Sequence, residues 1–297
     1  MDKIATMLRK PPLLGIVLIV MLMCEKMLAH TYTGITIYGL PKPWTYIVPA
    51  FMGFVGIYLV LRGIGKDEVK GSLLGYMGGV LIWMSWFESG MPLLAHINKI
   101  DPVLPETGNV MAGMMGEHVL LEASGLFCIV LMFFLMLNKD VRCRMLVWIR
   151  RKAKVEVGKP TPGYRPMVAR VAAFEYIFVT WFMYVLTLVL IDVRWTGLHH
   201  PVTYVGAVLI SAWGIYLGWK LTKQREVGLS VRYAIGAVGV LWFVPEILAL
   251  YELFYEFYLR VDLHPIAMTI VFILFVGSFT VLWKTPVNAD TGRSEVK

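Results

Sequence analysis

The chain has 297 residues, of which 58% are apolar and only 16% charged, and it carries a formal charge of +8. That balance excludes an ordinary soluble domain and a disordered segment alike, and predicts an all-α integral membrane protein. The excess of Lys and Arg follows from loop positions in such a protein, so it calls for no nucleic-acid partner.

Apolar runs close to the roughly 20 residues needed to cross hydrocarbon as helix recur along the chain, separated by short polar stretches with Gly, Pro and charge. Eight spans are predicted, near 12–30, 44–62, 72–95, 116–137, 167–192, 201–221, 231–257 and 264–283. The first reads as a retained helix rather than a cleaved signal, because Glu25 and Lys26 interrupt its end and no small-residue cleavage site follows.

With the N-terminus inside, 23 of the 28 Lys and Arg residues fall in cytoplasmic segments. Lys42, Lys99, Arg194 and Arg260 fall in outer loops, and Lys26 lies within the first span. Positively charged loops stay on the cytoplasmic side, so both termini are expected in the cytoplasm of a multi-pass protein of the inner (cytoplasmic) membrane. Ten of those charges lie in 139–170, where the basic residues around Met145–Ile149 suit an interfacial helix on anionic lipid, ahead of a turn at Pro160-Thr161-Pro162-Gly163.

The chain also repeats itself. At an offset of 158, Thr45-Tyr46 matches Thr203-Tyr204, Gly56-Ile57-Tyr58-Leu59 matches Gly214-Ile215-Tyr216-Leu217, and Glu88 matches Glu246, with 12 identities in 44 ungapped positions. The expected architecture is therefore a tandem parallel repeat of two four-helix bundles, 1–138 and 167–284, with a basic cytoplasmic linker 139–166 and a cytoplasmic tail 285–297. This arrangement resembles, in architecture alone, the membrane subunits of polysulfide-reductase type.

The chemistry gathers at one end. All six histidines, His30, His96, His118, His199, His200 and His264, fall at the outer end of a span or in an outer loop. Glu25, Glu88, Glu122, Glu175, Glu246 and Glu252 lie within apolar runs, where a carboxylate is costly and takes a partner or faces water. Glu25 is expected to pair with Lys26 or reach outward. Glu88 and Glu246 occupy equivalent repeat positions on the helices before His118 and His264. His118 and Glu122 share a helix face at i, i+4 spacing, as do Glu252 and Glu256.

From this pattern Glu88, Glu246, Glu122 and Glu252 are the expected catalytic groups. His118 and His264 are the expected cofactor-binding pair, and His118, His264, Glu88 and Glu246 the expected metal ligands. The set suits a transition-metal centre, a bis-His haem b near the outer face, or a quinone pocket in which His and carboxylate take up protons. It equally suits a buried polar network locking the two halves together. Met111, Met114 and Met115 beside His118 add soft donors of the kind copper(I) prefers. Cys24, Cys128 and Cys143 show no metal or redox spacing.

Three functions fit these residues. The first is a membrane subunit of a redox or respiratory complex, partnered by the bilayer and by periplasmic or membrane redox subunits. The second is a transporter or metal-handling protein, and the third is an intramembrane metal-dependent enzyme acting on a lipid or isoprenoid. The first is favoured because the polar residues gather at one surface rather than along a path through the membrane.

Overall fold

The computed structural model describes residues 2–104, 114–137, 144–158 and 167–286. The described chain is mostly helical, with one isolated antiparallel bridge between Val103 and Met114. In order, α1 is Asp2–Leu8, α2 Leu13–Gly34, α3 Trp44–Gly63, α4 Glu68–Ile82, α5 Gly90–Ile97, α6 Gly116–Ala123 and α7 Gly125–Leu137. There follow α8 Arg144–Lys152, α9 Val168–Ile191, α10 Pro201–Leu221, α11 Val227–Leu241, α12 Phe243–Leu250 and α13 Pro265–Trp283. Two of these helices run on into π-helical turns, α2 through Ile35–Gly39 and α4 through Trp83–Glu88.

Seven helical segments are long and apolar enough to cross a membrane: Leu13–Gly39, Trp44–Gly63, Gly116–Phe134, Val168–Ile191, Pro201–Leu221, Val227–Leu250 and Pro265–Trp283. They coincide with seven of the eight predicted spans. The eighth, expected over 72–95, is helical as α4, its π turn and α5, but glycine and tryptophan dilute its apolar character.

Glycine is what puts α4 at the centre of the fold. Gly71, Gly75 and Gly79 recur every four residues and face α9, where a Cβ at Gly75 would meet the Ala169 carbonyl oxygen at 2.1 Å and one at Gly79 the Ala173 carbonyl oxygen at 2.9 Å. On the other side Gly78 abuts the Gly56 carbonyl of α3. Backbones approach this closely only where both surfaces are small, which is how helices associate when lipid removes the hydrophobic drive between them.

The two halves of the chain interleave. α4 packs on α9, α11 on α2 and α9, α13 along α2, and α6 and α7 on α9. Thr45, Ser72 and Val80 are buried, and so are their offset partners Thr203, Ser230 and Val238. Short connections make successive long helices antiparallel, so the end of α2, the end of α4, the start of α6 and the end of α12 share one end of the molecule.

The basic segment forms α8 over Arg144–Lys152, with Leu146 buried, Trp148 exposed and Arg150, Arg151 and Lys152 in the last turn. The expected Pro160–Gly163 turn lies outside the described residues, as do Cys143 and the tail from 287 onward.

Candidate functional site

One face of α2 and its π-helical extension carries Lys26, Ala29, His30, Thr33 and Ile37 and lines two adjoining pockets. The outer space is a cavity of about 270 Å³. Its walls include His30, Thr33, Trp83, Glu88, Glu117 and His118. The inner space holds about 20 Å³, room for one water. Lys26, Thr180 and Glu246 line only the inner space, while His30, Glu88 and Tyr184 line both.

His30 stands at the junction, between two carboxylates. Its Nδ1 lies 3.2 Å from Glu88 Oε1 and its Nε2 lies 3.8 Å from Glu246 Oε1. Each carboxylate is oriented by a tryptophan: Trp83 Nε1 donates to Glu88 Oε2 at 2.9 Å, and Trp242 Nε1 donates to Glu246 Oε1 at 2.6 Å. The imidazole lies between two rings, stacked on Trp242 at 5.8 Å between centroids and tilted against Tyr258 at 5.7 Å. Tyr258 in turn donates to Glu256 at 2.6 Å.

Deeper along α2 the network continues. Lys26 Nζ donates to Tyr176 Oη at 2.9 Å and to Thr180 Oγ1 at 3.1 Å. Glu25 accepts from Tyr176 at 2.7 Å and from Tyr76 at 3.0 Å. Both side chains of the Glu25-Lys26 pair are buried, so the expectation that Glu25 would pair directly with its neighbour or reach outward is corrected. The two charges are bridged through the Tyr176 hydroxyl of α9, and Thr180 and Tyr76 give each a second hydrogen bond away from water. Beyond Glu25, toward the other end, the interior is closed by Leu18, Leu22, Leu73 and Ile235, all buried.

The expected site residues are only partly brought together. Glu88 and Glu246 converge, but on His30 rather than on His118 and His264. His118 lines the outer cavity. His264 packs edge-on against Tyr255 and Phe257 at the start of α13. Glu122 pairs with Arg194, which also bonds the buried Asp192 through Nε at 2.9 and 3.0 Å. Burial pushes Asp192 up, but the hydrogen bonds and charge of Arg194 outweigh it and hold its carboxyl below the usual range.

Glu252 is exposed, at a left-handed φ of +59° just past α12, so the predicted helix over 231–257 ends at Leu250 and Glu252 does not stack on Glu256. No group of three metal-ligating side chains is placed to hold an ion among the described residues. The His30 contacts show why: the two glutamates sit on opposite edges of one imidazole and do not converge on a common point. Met114 is fully buried in the core beside Val103, to which its backbone is bonded, Met115 is exposed, and Met111 lies outside the described residues.

Two polar atoms in this region are left over. Among the described residues, His118 Nδ1 and Thr33 Oγ1 are buried without a hydrogen-bond partner, and both residues line the outer cavity. A buried polar atom with nothing to bond costs about 1–3 kcal/mol; neither atom is itself exposed to the cavity, so a ligand there would bond them only after a shift of the side chain. The sequence carried a signal for His30 and Lys26, since a lysine and a histidine four apart within one apolar span share a face.

No family model matches the chain, and neither a curated protein nor a solved structure was found to match it.

Proposed function

We propose that the chain is the membrane subunit of a redox complex and binds a quinone-class ring in the outer cavity, where His30 and Glu88 exchange protons with it. The observation that carries this reading is an aromatic-walled cavity of about 270 Å³ with His118 and Thr33 among its lining residues, beside the His30–Glu88 contact. A hydroquinone presents two hydroxyls on opposite edges of a flat apolar ring. One reaches His30 and Glu88, and the other reaches His118.

On oxidation the ring loses two electrons and two protons. One proton passes to the His30–Glu88 pair and the other to His118, and the electrons leave to a redox carrier in a partner subunit docked at the same end. The apolar closure at Leu18, Leu22, Leu73 and Ile235 supports one-sided proton exchange and weighs against a transporter, which needs a polar route to the opposite face. The reading includes eight crossings, with the helix Glu68–Glu88 as the additional one, both termini in the cytoplasm, the cavity at the outer face of the inner membrane, and a parallel repeat relating the two halves. The matched burial of Thr45 with Thr203 and Ser72 with Ser230 supports the repeat.

Calorimetric titration of the detergent-purified chain with a short-chain hydroquinone tests the assignment. Saturable binding is expected, weakened about tenfold or more in His118→Leu, where one ligand hydroxyl loses its partner. Absence of binding, or identical affinity in the variant, would rule the reading out.

A further inference from the structure

The two carboxylates on His30 are not equivalent. Glu88 lines both the outer cavity and the inner space, whereas Glu246 lines only the inner space, together with Lys26 and Thr180. His30 presents Nδ1 to Glu88 and Nε2 to Glu246. It is therefore the one imidazole among the described residues that connects a carboxylate at the cavity wall to a carboxylate lining only the inner space.

We infer that His30 is a proton relay that passes protons between Glu88 at the cavity wall and Glu246, which lines the inner space. The step conserves charge. A proton on Glu88 moves to Nδ1 of neutral His30 while the proton on Nε2 leaves for Glu246, so Glu88 ends ionised, Glu246 ends neutral, and the imidazole has changed tautomer. Transfer of the proton back between the ring nitrogens through solvent, or rotation of the ring, resets it. Nδ1 is within hydrogen-bonding reach of Glu88, and the 3.8 Å gap from Nε2 to Glu246 borders the space that admits one water.

The surroundings suit this exchange. The other titratable or charged groups around the relay are Lys26 and Glu25 on α2, Glu117 and His118 on α6, Tyr176 and Tyr184 on α9, and Tyr258 with Glu256 beyond it. Lys26 is held by Tyr176 and Thr180 at the edge of the space that Glu246 lines, where its positive charge stabilises the ionised carboxylate. Trp242 orients both partners at once, by stacking on the imidazole and by donating to Glu246. Leu18, Leu22, Leu73 and Ile235 close the side toward the opposite end of the molecule.

This inference rests on the outer cavity being the route to solution and does not require that its ligand be a quinone. It is tested by rapid-mixing infrared spectroscopy of the full-length purified protein after a downward pH jump, with no quinone present. The carboxyl bands of Glu88 and Glu246 are assigned from Glu88→Gln and Glu246→Gln. In His30→Gln, whose amide can donate to Glu88 but cannot relay a proton, protonation of Glu246 is expected to slow by about a hundredfold while that of Glu88 stays fast. In His30→Ala, imidazole added to the medium is expected to restore the rate, which would not follow if His30 only held the helices together. Equal rates in wild type and His30→Gln, or no rescue by imidazole, would overturn the relay. A protein that fails to bind hydroquinone but shows the His30-dependent delay would separate the loss of the quinone reading from the loss of this one.

Discussion

Trp83 reaches Glu88 across five residues of π helix, and this is the register that points the carboxylate at His30. An α-helical turn would place residue 87, not 88, above Trp83, and residue 87 is an apolar phenylalanine. In the second half Trp242 and Glu246 are four apart and make the same indole-to-carboxylate bond. The wider turn thus compensates for one extra residue, a common use of π bulges at functional sites.

Removing that bond while keeping the ring isolates its role. Trp83→Phe is expected to leave helical content unchanged and to weaken hydroquinone binding by roughly tenfold, because hydrogen bonds to a charged group contribute about 1.5–3 kcal/mol. Titration calorimetry beside circular dichroism checks both halves of this expectation.

Packing between α4 and α9 is predicted to tolerate no added atom. In Gly75→Ala the new methyl would sit on the Ala169 carbonyl, and a loss of about 1–3 kcal/mol is expected. Gly277→Ala on α13, where the methyl meets nothing within 4 Å, should be neutral or stabilising by up to about 1 kcal/mol. Thermal unfolding in detergent distinguishes the two.

The Arg194 cluster makes a pH-dependent contribution. Asp192 is held below its unfolded value, so the stability it adds is complete above about pH 4 and is lost as pH falls through the folded value. Arg194→Ala should lower the melting temperature near neutrality, by leaving Asp192 and Glu122 without their guanidinium, and should flatten the decline below about pH 4. A melting curve measured against pH in both proteins reads this directly.

Much of the fold was legible because the apolar runs are long and the turn residues between them are few. Seven spans and the convergence of Glu88 with Glu246 follow from hydropathy and from the offset of 158. The histidine partner did not follow. His118 and His264 open helices in equivalent places, but which histidine a buried carboxylate meets depends on how helices rotate about their axes. Here the glycines of α4 draw α9 inward and bring the His30 face of α2 between the two glutamates. Glu252 was misplaced because the apolar pattern runs on past the point where φ turns positive and the helix stops.

The crossing of Glu68–Glu88 decides the topology. If it spans, Lys66 and Lys99 lie on opposite sides of the membrane. With Cys143 changed to serine, and with Cys24 and Cys128 buried, Lys99→Cys should react with an impermeant maleimide from outside. Lys66→Cys should react only after permeabilisation. Labelling of both from the same side would remove the eighth crossing.

The most direct measurement is photo-crosslinking of a short-chain azidoquinone to the purified chain, followed by peptide mapping. The account predicts saturable labelling on peptides carrying His30, Trp83–Glu88 or His118, suppressed by excess unmodified quinone. Labelling confined to the lipid-facing surfaces of α3, α10 or α13, or labelling that excess quinone does not reduce, would contradict it.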